Sequence, residues 1–473
     1  MNSFSYLLLF LPTVMLLRRL ASRLPFAKAP QVCILMASLF YYARPKPSNL
    51  VYLFGSILAN WMISRWIGGT AGLQRKRILQ LGLVLNIFFL SVFKYLGFFM
   101  GNVSWLIHRH IHVPDPAFPL GISFFTITQI IYLVDCYEEI IKPSDLFDHL
   151  SFVSFFPYVV SGPISRAKRI LHQFPLLNGR SGPSADMVAR AMFLFSLGLI
   201  KKVVLADCFA KPAEYGFSNI GSLSSLEAMA FAFSYALQVY FDFSGYSDMA
   251  IASALLLGLE IPRNFDAPLR ATSIIDFWQR WHISLTSFLT TYVYTPIVRS
   301  FRRVTLFTSA IATMLTMTVA GLWHGANWTF VVFGIIMGVG LAVNQYWRKK
   351  KMPKISKLAG WLMTITVFIL ASVFFRSPNL RTAFTYLGRI FRLRHPFGTE
   401  NLHLMNGVGL MVGVFLLAQA IGIVAAFFGK STDQLAREFK PTWLNYAATA
   451  ACTLIAFVYM NSNVAKPFVY FKF

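Results

Sequence analysis

Acidic side chains are scarce in this chain: 18 Asp and Glu stand against 43 Lys and Arg in 473 residues, and charged residues of all kinds make up 13%. A soluble domain carries about a quarter of its residues as charges, so a water-soluble globule is excluded. Cysteine is nearly absent. Cys33, Cys136, Cys208 and Cys452 lie in or beside apolar runs with no metal-ligand spacing, so neither a disulfide framework nor a zinc site is implied. A G-x-x-x-x-G-K-S/T phosphate loop, a G-x-S-x-G elbow and an H-E-x-x-H pair are missing as well. ATP-driven transport and zinc proteolysis are therefore unsupported. The sequence shows no internal repeat, low-complexity tract or second, soluble domain.

What is present is hydrophobic: 56% of residues are apolar and 16% aromatic, and the mean hydropathy is +0.58. Charge-free runs recur near the ~20 residues a helix needs to cross hydrocarbon. They do not alternate with a two-residue period, which excludes a barrel. The runs predict spans at 5–17, 31–43, 50–67, 79–101, 119–137, 150–163, 190–209, 226–258, 305–323, 325–347, 357–375, 404–428 and 442–461. Some are too short to cross alone, and 226–258 is long enough for two pieces. The reading is an all-α polytopic membrane protein with about eleven transmembrane helices plus re-entrant or interfacial ones. The first run, Tyr6 to Leu17, has its basic residues Arg18, Arg19 and Arg23 after it, which suits a retained span rather than a signal peptide.

The net charge of +25 falls in short loops: Arg18 to Lys28, Arg75 to Arg77, Arg166 to Arg169, Arg302 with Arg303, and Arg348 to Lys351. Cytoplasmic loops that meet anionic headgroups look like this. No basic patch is interleaved with aromatics, so nucleic acid is rejected as a partner and membrane lipid is expected. With the basic loops inside, the N-terminus faces out. The segment 376–394, with Arg376, Arg381, Arg389, Arg392 and Arg394, conflicts by parity. It is either an amphipathic interfacial helix or a sign that one span is miscounted.

Polar groups at membrane depth are costly and therefore informative. Asp242 and Asp248 interrupt the apolar stretch Ala228 to Leu259, and Gly245 between them permits a helix break facing protein or a watery cavity. Tyr246 lies in the same turn. The two carboxylates serve either a helix-packing network or a substrate. In SIIDFWQRWHISL, Asp276 and Arg280 are spaced i,i+4, as are Trp278 and His282, on a helix that lies at the interface or dips into a cavity. In TVAGLWHGANWTF, His324 stands between two charge-free runs, beside Trp323, Asn327 and Trp328. Of nine histidines, His108, His110, His112, His149, His172, His395 and His403 fall in loops or near span ends; His282 and His324 lie deep in apolar context. Neutral imidazole can accept and return a proton near neutral pH. Two of them in a water-poor site suit acyl transfer, one as base and one positioning a group or polarising a carbonyl. The H-x-x-x-x-D spacing of His110 and Asp115 is a decoy in a proline-bearing connector.

Together these stretches resemble the membrane-bound O-acyltransferases, and within them the bacterial branch that contains the alginate O-acetyltransferase membrane subunit. The likeness is carried, in the family's order, by FPLGISFFTITQIIYLVDCY (118–137), FFPYVVSGPISR (155–166), LGLIKKVVLAD (197–207) and YFDFSGYSDMAIASALLLG (240–258). It continues through PRNFDAPLRATSIIDFWQRWHISLTSFL (262–289) and GLWHGANWTF (321–330) to the terminal PFVYFKF (467–473). The resemblance implies one integral-membrane domain over 1–473, with peripheral N-terminal helices in 1–82, a catalytic core in 83–347 and C-terminal helices in 348–473. It implies a ring of tilted spans around a central tunnel, with His324 catalytic and His282 the second histidine. Trp278, Trp281 and Trp323 would wall the tunnel, and Asp242, Tyr246, Asp248, Arg280 and Asn327 would support it.

The activity so implied is movement of an acyl group, foremost acetyl from acetyl-CoA or another thioester, to an extracytoplasmic polysaccharide or to a partner transferase beyond the bacterial inner membrane. No metal is expected. An enclosed passage would keep the thioester from water. D-alanyl transfer to teichoic acid and peptidoglycan O-acetylation are the alternatives within the family. A proton-coupled transporter or flippase, and a scaffold for polysaccharide secretion, are the alternatives outside it. One stretch departs from the branch: LTTYVYTPIVRS (289–300) lacks the usual Arg-Asp pair and double glycine, which bears on the acceptor or partner more than on the chemistry.

Overall fold

The structure is a computed structural model that describes residues 1–111, 118–178, 182–392 and 409–462, with backbone alone over 409–415. His112, Asp115, Arg394, His395, His403 and the terminal segment 467–473 lie outside the described residues. Every regular element among the described residues is helical. Among the described residues, six helices are long and apolar enough to cross a membrane: Asn49–Gly68, Gly72–Leu106, Leu306–His324, Trp328–Lys349, Lys357–Arg376 and Trp443–Asn461. Ala29–Ala43, Ile122–Tyr137 and Leu416–Phe427 are apolar but shorter. A multi-pass membrane protein follows.

Two sequence expectations change, and a third is decided between its stated alternatives. Residues 225–256 form a single unbroken helix of 32 residues, with no break at Gly245. The span expected at 150–163 is helical only as far as Ser154. From Phe155 to Ser165 the chain is irregular and buried throughout, and Pro157 and Pro163 explain why no helix continues. Irregular backbone in a membrane protein survives only when wrapped in protein in this way. Third, the arginine-rich segment after Arg376 forms the amphipathic helix Leu380–Phe391, which buries Ala383, Tyr386 and Ile390 and leaves Arg381 exposed.

The chain divides into two compact units, residues 3–192 with 250–262, and residues 193–249 with 263–473. The first is organised around helix Ile122–Tyr137, which is buried on nearly every face, Gln129 and Tyr132 included. Helices Asn49–Gly68 and Gly72–Leu90 pack on it and hold each other through the amides of Asn60 and Asn86, one donating at 2.7 Å and the other at 3.3 Å. Paired side-chain amides are a common way for helices to associate where no water competes.

The second unit contains the segments that carried the sequence argument. Its centre is helix Ser225–Leu256 up to Met249. There Asp242 is ion-paired to Lys202, and Asp248 accepts from Lys201 Nζ at 2.7 Å and from Thr432 Oγ1 at 2.8 Å. The helix approaches the chain around Gly198 so closely that a Cβ on Gly245 would lie 2.6 Å from the Gly198 carbonyl oxygen. Gly245 thus serves contact between backbones. The same device joins Leu306–His324 to Trp328–Lys349: a Cβ on Gly321 would stand 2.1 Å from the Phe330 carbonyl oxygen, and one on Gly334 2.3 Å from that of Met317. Only Gly325 to Asn327 link these two helices, so His324 ends one helix directly before a tight turn.

The Lys202–Asp242 pair is at most 3% exposed on either side chain, and a lone charge there has no water to fall back on. Lys202→Met is expected to cost about 3–5 kcal/mol, whereas Lys202→Met with Asp242→Leu should recover most of it. Thermal unfolding of the purified protein in detergent measures both.

Candidate active site

His282 sits at a break in the chain. Helix Ile274–Arg280 begins at Ser273, whose side chain caps the Asp276 amide, and ends before Trp281. His282 then adopts the left-handed conformation, φ 43 and ψ 52, ahead of helix Ile283–Phe288. A non-glycine residue there is strained by roughly 1–3 kcal/mol, a cost tolerated where the surroundings fix the backbone. Asn264 does the fixing. Its backbone carbonyl accepts from the Ile283 amide at 2.9 Å, and its side-chain carbonyl accepts from the Ser284 amide at 3.2 Å and the Ser284 hydroxyl at 2.9 Å. Trp278 and His282, spaced as helical neighbours in the sequence, therefore do not share a helical face, because the helix stops between them.

The same amide sets the histidine's tautomer. The Ser284 N–H can only donate, so the atom facing it is the Asn264 oxygen. His282 Nδ1, 3.1 Å from that oxygen, must then carry the proton and donate. Nε2 is left as a lone pair, buried and with no hydrogen-bond partner among the described residues. Burial pushes the imidazole pKa down to about 3, which keeps the ring neutral. His282 is thus an acceptor and cannot polarise a carbonyl by donating to it.

His324 is reached from His282 across one indole. The Trp323 ring centroid lies 6.0 Å from that of His282 and 4.9 Å from that of His324. Phe375 closes on His324 at 5.1 Å and Phe333 at 6.2 Å, both edge-on. As the last residue of helix Leu306–His324, the ring sits at the helix's negative pole, where a positive charge is favoured. Beside it lies a cavity of about 20 Å³, lined by Tyr235, Trp278, Trp281, His324, Met337 and Ser372, with the rings of Phe277, Phe333, Phe368 and Phe375 among its walls.

The remaining sequence candidates fall into supporting places. Trp281 stacks on Phe277 at 5.4 Å and meets Phe265 and Phe368, which makes it a wall of the same aromatic cluster. Arg280 pairs with Asp276 at 2.6 Å, as its spacing predicts, and is partly exposed. Asn327 accepts from the Thr329 amide at 3.0 Å and donates to the Pro378 carbonyl at 2.8 Å, so its side chain caps a helix. Asp242 and Asp248 are held in the ion pairs described above, and Tyr246 is buried one turn from them. None of Arg280, Asn327, Asp242, Asp248 and Tyr246 lines the cavity beside His324.

Some residues escaped the sequence reading. Lys201 and Lys202 are charges inside a predicted span and could have been matched to the two aspartates. Asn264 and Tyr235 carried no such signal. His149, expected near a span end, is fully buried and packs against Tyr132 with centroids 4.2 Å apart.

Comparison with known proteins gives the family. The family model of the membrane-bound O-acyltransferases matches residues 72–375. A peptidoglycan O-acetyltransferase of Helicobacter pylori is 33% identical, over 94% of this chain and 92% of its own. The probable alginate O-acetylase AlgI of Pseudomonas aeruginosa is also 33% identical, over 90% of this chain and 80% of its own. A teichoic acid D-alanyltransferase of Streptococcus thermophilus is 31% identical over 53% of this chain and 65% of its own. With the histidine turn, the paired glycines and the extended match in one chain, this protein belongs to the membrane-bound O-acyltransferase (MBOAT) family and is an acyltransferase.

Proposed function

We propose that this acyltransferase takes an acetyl group from acetyl-CoA on the cytoplasmic side of a bacterial inner membrane and delivers it to a hydroxyl on the far side, on an envelope glycan or on a partner transferase that completes the delivery. The observation that carries the reading is the small, aromatic-walled cavity against His324, with the His282 ring 6.0 Å from the Trp323 indole that packs on His324. Two relatives with long matches are named for O-acetylation of peptidoglycan and of alginate, which favours acetyl over D-alanyl and a glycan acceptor. The proposal has the N-terminus outside, a reading supported by the basic loops between spans.

In the step proposed, His324 takes the proton of the attacking hydroxyl as its oxygen bonds to the thioester carbonyl carbon. The carbonyl electron pair moves onto oxygen. When the tetrahedral adduct collapses, the C–S bond breaks and the thiolate leaves with the proton that His324 returns. The imidazolium that exists between those moments is favoured by the C-terminal end of its helix, worth about 0.3–2 kcal/mol. His282 accepts a hydrogen bond through Nε2 from the incoming hydroxyl or from the donor, and so positions it. A proton-relay transporter would need carboxylates free to change charge, yet Asp242 and Asp248 are each bound to a lysine.

Membranes supplied with labelled acetyl-CoA are expected to place label in envelope glycan, and His324→Ala should lower that rate by roughly 10²–10⁴-fold with the protein still folded. Transfer that survives the substitution would remove His324 from the chemistry. Label that enters only from a D-alanyl carrier protein would move the donor assignment. Asn264→Ala frees the His282 ring to turn, and should lower transfer about tenfold or more while His324 stays in place; steady-state rates against His324→Ala measure the difference.

A further inference from the structure

Two residues that line the His324 cavity carry donors that find no acceptor among the described residues. Tyr235 Oη and Trp278 Nε1 are buried, and neither meets an acceptor. They come from separate helices, Ser225–Leu256 and Ile274–Arg280, yet both line the one small cavity. A buried donor without a partner costs stability, and few are left in a folded protein without a reason. The Ser372 hydroxyl, in the same lining, already donates to the Ile369 carbonyl at 2.6 Å. His282 cannot fill the donor role, because its one N–H is held by Asn264. What the cavity asks for is an acceptor atom.

The lining also states what cannot enter. No carboxylate is in it, so a group bearing an ammonium would be buried without a counter-charge. At about 20 Å³ the cavity is narrow, which favours a short acyl group over a long one. Aromatic rings and Met337 stand where a longer chain would go.

We propose that this cavity is the acyl pocket of the transfer reaction. Tyr235 and Trp278 hold the acyl oxygen as negative charge gathers on it, and the walls restrict the acyl group to acetyl. The proposal rests on the acyltransferase reading above and adds two catalytic residues and the basis of acyl choice. As the hydroxyl oxygen bonds to the carbonyl carbon, the C=O pair becomes a lone pair on an oxygen receiving two hydrogen bonds. Both donors keep their protons, and the pair returns when the C–S bond breaks. Donors held in place by two packed helices need little rearrangement during the step.

The experiment compares wild type, Tyr235→Phe, Trp278→Phe and Met337→Ala in membranes, with labelled acetyl-, propionyl- and butyryl-CoA as probes. The phenylalanine variants keep a ring and lose the donor. Each is expected to lower kcat for acetyl roughly 10²-fold and to leave KM for acetyl-CoA unchanged. Wild type should discriminate against butyryl, and Met337→Ala should raise butyryl transfer about tenfold or more, a gain that a misfolded protein cannot show. Unchanged kcat in both phenylalanine variants, or a wild type that transfers butyryl as fast as acetyl, overturns the pocket assignment and leaves the acyltransferase reading standing. A wild type that transfers none of the three overturns both.

Discussion

A carboxylate inside an apolar fold stays ionised only with a cation held against it. Helix Ser225–Leu256 carries two of them, and the adjoining segment supplies Lys201 and Lys202 in successive positions. Two pairs, six residues apart on one helix, leave it little freedom to slide or turn. That matters because the same helix presents Tyr235 to the cavity, Phe243 to the face of His282 at 4.6 Å, and Ser247 to Asn264 at 3.3 Å. The ion pairs take no part in the proposed chemistry. They set the register on which its geometry rests.

Close approach of helices is the second constraint. Gly198 with Gly245, and Gly321 with Gly334, bring backbones together where any side chain would hold them apart. In a lipid-soluble protein the gain comes from packing rather than from escape from water. At the Leu306–His324 and Trp328–Lys349 pair it has a further effect. The turn between them is short, so His324 is pinned at the mouth of a tight hairpin and is ringed by Trp323, Phe333 and Phe375.

Much of this was legible in the chain. Hydropathy located the long helices because lipid imposes a length and a composition on them. His324 stood out because an ionisable ring between two charge-free runs needs an explanation. The i,i+4 spacing of Asp276 and Arg280 translated directly into an ion pair. Other features depend on contacts far apart in sequence. Nothing in the run from Ser273 to Leu285 announces that the helix stops at Arg280, since the interruption is held by Asn264 from outside that run. Gly245 could mark a break or a close crossing, and sequence alone does not choose. Tyr235 looks like one more aromatic residue among many; only its lack of a partner sets it apart, and that is a property of the folded state.

The size of the cavity beside His324 bears on the waste reaction open to any thioester. The cavity is small, so an acyl group seated in it as proposed would leave little room for a solvent molecule. Occupancy by the acyl group would then itself exclude the competing nucleophile. On that proposal no separate door is needed to guard the activated substrate, because seating the substrate removes the rival.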